Sequence, residues 1–128
     1  MTVLVTGGAG YIGSHMAYEL VDSGDDVVVL DNLSTGRRAA VPPQAELVIG
    51  DFGDEALVSD LLKSRKIEAI IHFAAKIVVP ESVADPLGYY HNNTASARSL
   101  LAKAVEADVK HFIFSSTAAV YGEPEQNP

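Results

Sequence analysis

The chain has 128 residues, of which 48% are hydrophobic, so it is long and apolar enough to bury the core of one domain. Its 17 acidic and 9 basic residues give a net charge of −8, which disfavours binding to nucleic acid or to an anionic membrane surface. The sequence has no cysteine for disulfides or zinc–thiolate sites, and no apolar run approaches the roughly 20 residues that span a bilayer. We therefore expect a single cytoplasmic domain that contacts neither nucleic acid nor membrane.

Five short runs predict β-strands that are covered on both faces, because they are apolar throughout rather than alternating. They are Val3 to Thr6, Val27 to Asp31, Glu46 to Ile49, Ala69 to Phe73 and His111 to Ser115. Between them, apolar residues with helical spacing begin at Ile12, Leu57 and Leu100. Asp54 is placed to cap the second helix, and Pro86 to begin the third. This alternation predicts right-handed crossovers and an open parallel sheet. We expect an α/β fold with a doubly wound, Rossmann-like parallel sheet of about five strands in the order 3-2-1-4-5.

A glycine-rich turn, TGGAGYIG, joins the first strand to the first helix. Unpaired backbone N–H groups and the positive end of the helix dipole meet at such a turn and favour an anion. Gly7 can make the tight turn, Gly10 can let a pyrophosphate approach the backbone, and Gly13 can let the helix lie close to the strand. The spacing fits both Gly8-x-Gly10-x-x-Gly13 and Gly7-x-x-Gly10-x-x-Gly13, and a tight turn without a ligand is the alternative. No lysine follows Gly13, so the loop is not a P-loop.

The second strand ends at Asp31, 18 positions after Gly13. A carboxylate there can accept hydrogen bonds from both hydroxyls of an adenosine ribose and would repel a 2′-phosphate. This arrangement favours NAD over NADP as the cofactor. Arg37 and Arg38 leave NADP open, because they are either partners for a 2′-phosphate or solvated loop cations.

Six segments occur in a fixed order along the chain: TGGAGYIG, LDNLSTG, GDFGD, HFAA, YYHNN and FSSTAAVYG. With this ordered set the entire chain resembles the extended short-chain dehydrogenase/reductase family, and within it most closely the nucleotide-sugar epimerases. The family's glycine loop is Gly-x-x-Gly-x-x-Gly, which favours the spacing that starts at Gly7. The resemblance implies an NAD-dependent isomerase, commonly a homodimer, that interconverts UDP-galactose and UDP-glucose through a 4-keto intermediate.

The resemblance also implies cofactor contacts at the carboxyl ends of the strands and in the third helix. Small residues after the fourth strand would let a dinucleotide cross the sheet edge, and the aromatic ring after the third strand can cover an adenine face. The lysine of this region is Lys76, one position before Ile77, where some family members carry a cofactor-contacting lysine. The implied contacts are Gly7, Gly10, Tyr11, Ile12, Gly13, Asp31, Asn32, Leu33, Ser34, Thr35, Gly36, Asp51, Phe52, Phe73, Ala74, Ala75, Lys76, Ile77 and Asn92.

Thr117 follows the fifth strand and matches the family's catalytic serine or threonine, whose hydroxyl would bond the sugar 4-hydroxyl and help to move its proton. The alternative is a hydroxyl that ends the strand with local backbone bonds. The family's proton acceptor lies in a Tyr-x-x-x-Lys pair, and no tyrosine of this chain is followed by lysine at that spacing. The four histidines lack metal-ligand spacing, so we expect them to pack or face solvent and expect no metal site.

We therefore expect residues 1–128 to be the N-terminal, NAD-binding Rossmann part of an epimerase that continues into the Tyr-x-x-x-Lys pair and a substrate domain, and to be inactive alone. A complete, non-catalytic NAD-binding module is the second hypothesis. A related nucleotide-sugar dehydratase, epimerase or decarboxylase is the third, because these enzymes share this part. The segment from Gly122 to Pro128 is predicted to be a loop.

Overall fold

The computed structural model describes residues 1–123 and contains one sheet of five parallel strands. The strands are β1 Thr2–Thr6, β2 Asp26–Asp31, β3 Glu46–Ile49, β4 Ala69–His72 and β5 His111–Phe114. Their order, β3-β2-β1-β4-β5, confirms the predicted fold, and each strand end lies within one residue of its prediction. Of the loop predicted at the carboxyl end, residues 124–128 lie outside the described part.

Helices cover both faces of the sheet. They are α1 Tyr11–Asp22, α2 Glu55–Ser64, α3 Val79–Ala84, α4 Pro86–Tyr90 and α5 Ala97–Glu106. On one face, α1 packs through Ala17 with Val5 of β1. On the other face, α2 and α5 pack through Leu61 and Leu100 with Leu4 of the same strand. Successive strand residues point to opposite faces, and in β1, β2 and β4 both faces are buried, as their unbroken apolar runs predict. For β3 and β5 the prediction of cover on both faces is wrong, because these strands lie at the two edges of the sheet and are exposed or half-buried.

Two of the predicted helix boundaries are present. The Asp54 carboxylate accepts hydrogen bonds from the N–H groups of Ala56 and Leu57, both at 3.1 Å, and so caps α2. Pro86 begins α4 as predicted. A π-helical stretch, His91–Ser96, then separates α4 from α5, and neither this stretch nor α3 was predicted. Apolar spacing does not reveal a π turn, because the turn depends on hydrogen bonds rather than on the apolar stripe.

The outermost strand, β5, is the least covered part of the sheet. Ile113 is 56% exposed and Phe114 is 60% exposed. These side chains leave an apolar surface at the sheet edge that is available for association.

Candidate functional site

Three glycines, two in the loop after β1 and one in the first turn of α1, are packed so closely that none has room for a side chain. Gly7 has φ +73°, and a Cβ there would lie 2.7 Å from the Ala74 nitrogen. A Cβ at Gly13 would lie 2.3 Å from the Gly7 oxygen, and a Cβ at Gly8 would lie 2.8 Å from a methyl group of Val29. Gly7 and Gly13 therefore have the turn and close-approach roles predicted for them, whereas Gly8 serves packing against β2. The geometry fits the Gly7-x-x-Gly10-x-x-Gly13 spacing.

Gly10 opens α1 and leaves its amino end accessible. No side chain caps the helix, and a Cβ at Gly10 would meet only a backbone oxygen at 3.3 Å. The N–H of Ser14 is the first to bond back into the helix, so the N–H groups of residues 11–13 have no acceptor within residues 1–123. Tyr11 and Ile12 are 82% and 62% exposed. The unpaired donors and the helix dipole make this end an anion site open to solvent.

Asp31 connects the glycine loop to the end of β2. One carboxylate oxygen accepts a hydrogen bond from the N–H of Ala9 at 2.9 Å, and the other accepts from the N–H of Leu33 at 2.8 Å. The residue is buried, and these bonds fix the orientation of the carboxylate. Each oxygen keeps a further lone pair, so the predicted contact with a ribose hydroxyl is chemically compatible with this backbone role. Sequence reasoning missed the backbone role.

The segment of residues 32–36 folds against the glycine loop. Leu33 has φ +57°, a left-handed conformation that is strained for a residue other than glycine. A Cβ at Gly36 would lie 2.9 Å from the Ala9 Cβ, so glycine is needed for this close approach. The Asn32 side-chain oxygen accepts a hydrogen bond from the N–H of Ser34 at 3.0 Å. The segment is thereby held in a defined loop beside the amino end of α1.

A groove of about 770 Å³ lies between this segment and the outer face of α1. Gly10, Tyr11, Thr35 and Arg37 are among the residues that line it. Its volume is in the range of small-molecule sites. Of the two arginines that are possible partners for a 2′-phosphate, Arg37 lines this groove.

Asp51 and Phe52 follow β3, but the Asp51 side chain makes hydrogen bonds in the loops whereas the Phe52 side chain packs in the core. The Asp51 carboxylate accepts hydrogen bonds from the N–H of Gly53 at 2.7 Å and from the Asn32 amide at 3.2 Å, which links the ends of β2 and β3. Phe52 is only 7% exposed, and its ring meets the His72 ring edge-on with centroids 4.8 Å apart. The ring is a core side chain, which does not fit the prediction that it covers an adenine face. A contact from Phe52 to a ligand would have to come from its backbone.

Residues 73–77 leave β4 beside the glycine loop. The Ala74 backbone lies against Gly7, where it is the nearest neighbour of a Cβ placed on that glycine. This contact puts the segment at the switch point between β1 and β4. The Lys76 ammonium lies 5.6 Å from the centroid of the Tyr89 ring, a cation–π distance. Lys76 therefore contacts α4, while the Ile77 side chain is 82% exposed.

Asn92 lies in the π-helical stretch, and its amide donates a hydrogen bond to the Asn93 side-chain oxygen at 2.8 Å. Asn93 in turn makes two hydrogen bonds to the Lys76 backbone. Asn92 is thereby held near the 73–77 segment, and its contact with a cofactor stays a prediction. Sequence reasoning missed Asn93, although the tandem asparagines of YYHNN were the available signal.

Thr117 follows β5 and precedes a short 3₁₀ helix, Ala118–Tyr121. Its hydroxyl oxygen accepts a hydrogen bond from the N–H of Ala119 at 3.2 Å. Because a hydroxyl is both donor and acceptor, its proton is left for another partner. The capping role and the predicted catalytic role are therefore compatible in the same side chain.

His72 is a buried histidine below the switch point. Its Nδ1 lies 2.6 Å from the Thr6 hydroxyl, and its ring packs among Phe52, Phe112 and Phe114. Burial lowers the pKa of His72 to about 4, so the ring is neutral at pH 7. This histidine packs, as predicted, but it does so as one partner of a buried polar pair.

Among residues 1–123, no three metal-ligating side chains are placed to hold a metal ion. Over the same part of the chain, no helix is both long and apolar enough to cross a membrane. The site is built from unpaired N–H groups, a fixed carboxylate and close-packed small residues at one edge of the sheet.

The family model and the similar proteins that match this chain all belong to one family of enzymes. Residues 3–128 match the model of the NAD dependent epimerase/dehydratase family. The chain is 55% identical to UDP-glucose 4-epimerase of Lactobacillus helveticus, over all of this chain and 39% of that protein. It is 52% identical to UDP-glucose 4-epimerase of Azospirillum brasilense, over 98% of this chain and 36% of that protein.

The fold has close counterparts among solved structures. One is UDP-glucose 4-epimerase from Brucella ovis in complex with NAD, with a TM-score of 0.88 and 45% identity. That match covers 99% of this chain and 39% of the Brucella chain. This chain thus spans between 36% and 39% of the length of these three relatives.

Proposed function

The chain belongs to the NAD dependent epimerase/dehydratase family, and from that premise we propose that it is the NAD-binding part of a UDP-glucose 4-epimerase. The observation that carries this proposal is the amino end of α1, where three unpaired N–H groups, a bare Gly10 and the fixed Asp31 carboxylate lie together. A dinucleotide needs donors for its pyrophosphate and an acceptor for its adenosine ribose at this spacing. Relatives that are named UDP-glucose 4-epimerase match the whole chain.

The residues fit a dinucleotide along the sheet edge. We assign the pyrophosphate to the backbone of Tyr11 and Ile12, and the adenosine ribose to Asp31 with the loop that follows it. We assign the nicotinamide-side ribose to the 73–77 segment and Asn92, which the structure brings together through Asn93. The carboxylate at the end of β3 remains the candidate acceptor for the adenine amine.

NAD, when bound, supplies the acceptor and the later donor of a hydride at the sugar C4. The protein's own residues orient the reactants and take part in transferring the proton of the oxygen on C4. Thr117 has a hydroxyl proton that its local hydrogen bond leaves free, so it can donate to the oxygen on C4. We propose that the general base comes from a Tyr-x-x-x-Lys pair outside these 128 residues, which contain none, and that these residues alone do not turn over substrate.

Binding of NAD to the 128-residue chain is the direct test, measured by isothermal titration calorimetry. Gly10→Ala adds a methyl 3.3 Å from its nearest backbone neighbour, so the variant should fold yet obstruct the pyrophosphate and weaken NAD binding about tenfold. Gly24→Ala is the control, because Gly24 follows the opposite end of α1 and has φ +85° with no neighbour within 4 Å. It should cost about 1 kcal/mol of stability and leave NAD affinity unchanged. Wild-type affinity in Gly10→Ala, or no binding by the wild type, would overturn the assignment.

The substrate class needs a separate assay, because family members with different reactions share an NAD-binding part. The protein purified from its source cells should be offered UDP-galactose, UDP-glucuronate and dTDP-glucose. Turnover of UDP-galactose to UDP-glucose is the expected result. Exclusive turnover of dTDP-glucose would show that the protein is a dehydratase rather than an epimerase. NAD binding without turnover of any sugar nucleotide would favour a non-catalytic module.

We place this reaction in the cytoplasm and propose that the protein works as a homodimer. Exposed apolar side chains on α5 support an interface: Leu101 and Val105, one helical turn apart, are 43% and 79% exposed. Sedimentation velocity should show a dimer that Val105→Glu weakens. A monomer at all concentrations would contradict the dimer.

A further inference from the structure

The segment Lys76–Val78 is held by side chains rather than by a neighbouring strand. The Asn93 amide donates to the Lys76 carbonyl at 2.8 Å, while its oxygen accepts from the Lys76 N–H at 2.9 Å. The Tyr89 hydroxyl accepts from the Val78 N–H at 3.1 Å and lies 2.9 Å from the Val78 carbonyl oxygen. In an extended chain, alternate residues present their N–H and C=O groups to the same side. Asn93 and Tyr89 thus occupy the place of a pairing strand, and we call this pair the backbone clamp.

The backbone clamp leaves the residue between its two anchor points free. Because Ile77 alternates with Lys76 and Val78, its N–H and C=O groups point to the opposite side of the segment. Within residues 1–123, neither of these groups has a hydrogen-bond partner. The segment therefore presents one donor and one acceptor at Ile77, between two residues held by Asn93 and Tyr89, on the side away from α4.

Asn93 lies within the π-helical stretch His91–Ser96. A π turn is wider than an α turn, and such turns recur at functional sites. Here two consecutive asparagines are in contact, since the Asn93 oxygen also accepts a hydrogen bond from the Asn92 amide at 2.8 Å. One oxygen thus joins the Lys76 N–H to the Asn92 side chain. Movement of Asn93 would release both.

We propose that Asn93 is a positioning residue for the nicotinamide half of the dinucleotide. It holds the Ile77 backbone and the Asn92 amide at a constant separation. Both groups are then already in place to contact the ribose on that side, and no protein segment has to become ordered when the dinucleotide binds. This inference rests on the proposed function, which assigns the 73–77 segment and Asn92 to NAD. Tyr89 supports the same segment one step further along, at Val78.

If the backbone clamp has this role, mutating it should weaken the binding of ligands that contain the nicotinamide half of the dinucleotide and not of ligands that lack it. Asn93→Leu removes both hydrogen bonds to Lys76 at similar volume, and Asn93→Asp removes the donor while keeping the shape. We expect Asn93→Leu to weaken NAD binding about tenfold and to leave ADP affinity within about twofold of wild type, because ADP lacks the half that the clamp serves. Tyr89→Phe should give a smaller loss of the same kind. Gln44→Ala is the control, since Gln44 is exposed and lines a hollow with the first residues of β1 and β2, Thr2 and Asp26.

The experiment is a calorimetric titration of each 128-residue variant with NAD and with ADP, with a thermal melt of each sample. A selective loss of NAD affinity in Asn93→Leu, or in Asn93→Asp if the leucine variant does not fold, supports the proposal. Equal losses for NAD and ADP, or no loss for either, would overturn the positioning role while leaving NAD binding by the wild type intact. A wild type that binds neither ligand would overturn the proposed function and this inference with it.

Discussion

Acid is expected to destabilise this protein through one buried side chain. His72 lies against the Thr6 hydroxyl and three phenylalanine rings, and burial lowers the pKa of His72 to about 4 from the usual 6.5. The folded state therefore keeps the ring neutral at a pH where the unfolded chain already binds a proton. Because the unfolded state then holds more protons, the free energy of unfolding falls as the pH falls.

The magnitude follows from the two pKa values. One pKa unit corresponds to 1.36 kcal/mol, so the gap between 6.5 and about 4 amounts to roughly 3 kcal/mol. The contribution is complete above about pH 6.5 and is lost progressively as the pH falls towards 4. A loss of this size is a large fraction of the stability of a small domain.

Urea unfolding followed by circular dichroism, at several values between about pH 7 and about pH 4.5, measures this loss. We compare the wild type with His72→Asn and with His111→Gln, a variant of an exposed histidine on β5. Protonation of carboxylates affects all three proteins alike and cancels in the differences. His111→Gln should parallel the wild type, whereas His72→Asn should show a shallower pH dependence. Parallel curves for the wild type and His72→Asn would refute the reasoning that burial keeps this ring neutral.

Four other variants test the packing and the helix cap that support the site. Gly13→Ala places a methyl group 2.3 Å from a backbone oxygen of the glycine loop, and we expect a drop of at least ~3 kcal/mol or loss of cooperative melting. Asp54→Ala removes the acceptor for two N–H groups of α2 and should cost about 1 kcal/mol in urea unfolding. Leu100→Ala should cost about 2–5 kcal/mol because the side chain is fully buried, whereas the neighbouring Leu101→Ala, at 43% exposure, should change stability little. The reverse order for the two leucines would contradict the orientation of α5.

Sequence reasoning succeeded where the cause of the structure is local. The glycine spacing, the cap at Asp54 and the start of α4 at Pro86 each depend on backbone and side-chain properties within a few residues. All five strands were predicted to within one residue, and for β1, β2 and β4 the reason is that burial on both faces requires unbroken apolar runs. The parallel sheet followed from the alternation of strands and helices, and the strand order is that of the predicted doubly wound, Rossmann-like fold.

Only the tertiary structure decided which neighbours the side chain of each site residue contacts. Phe52 turned into the core against His72, and both oxygens of Asp31 were taken by backbone N–H groups. Asn93 met Lys76 across 17 positions of sequence. These outcomes depend on contacts between segments that are far apart along the chain, and a pattern of residue types records which groups are available but not which of them meet. The sequence by itself therefore determined the sheet and its glycine loop, while the folded chain decided how the side chains at the sheet edge are held.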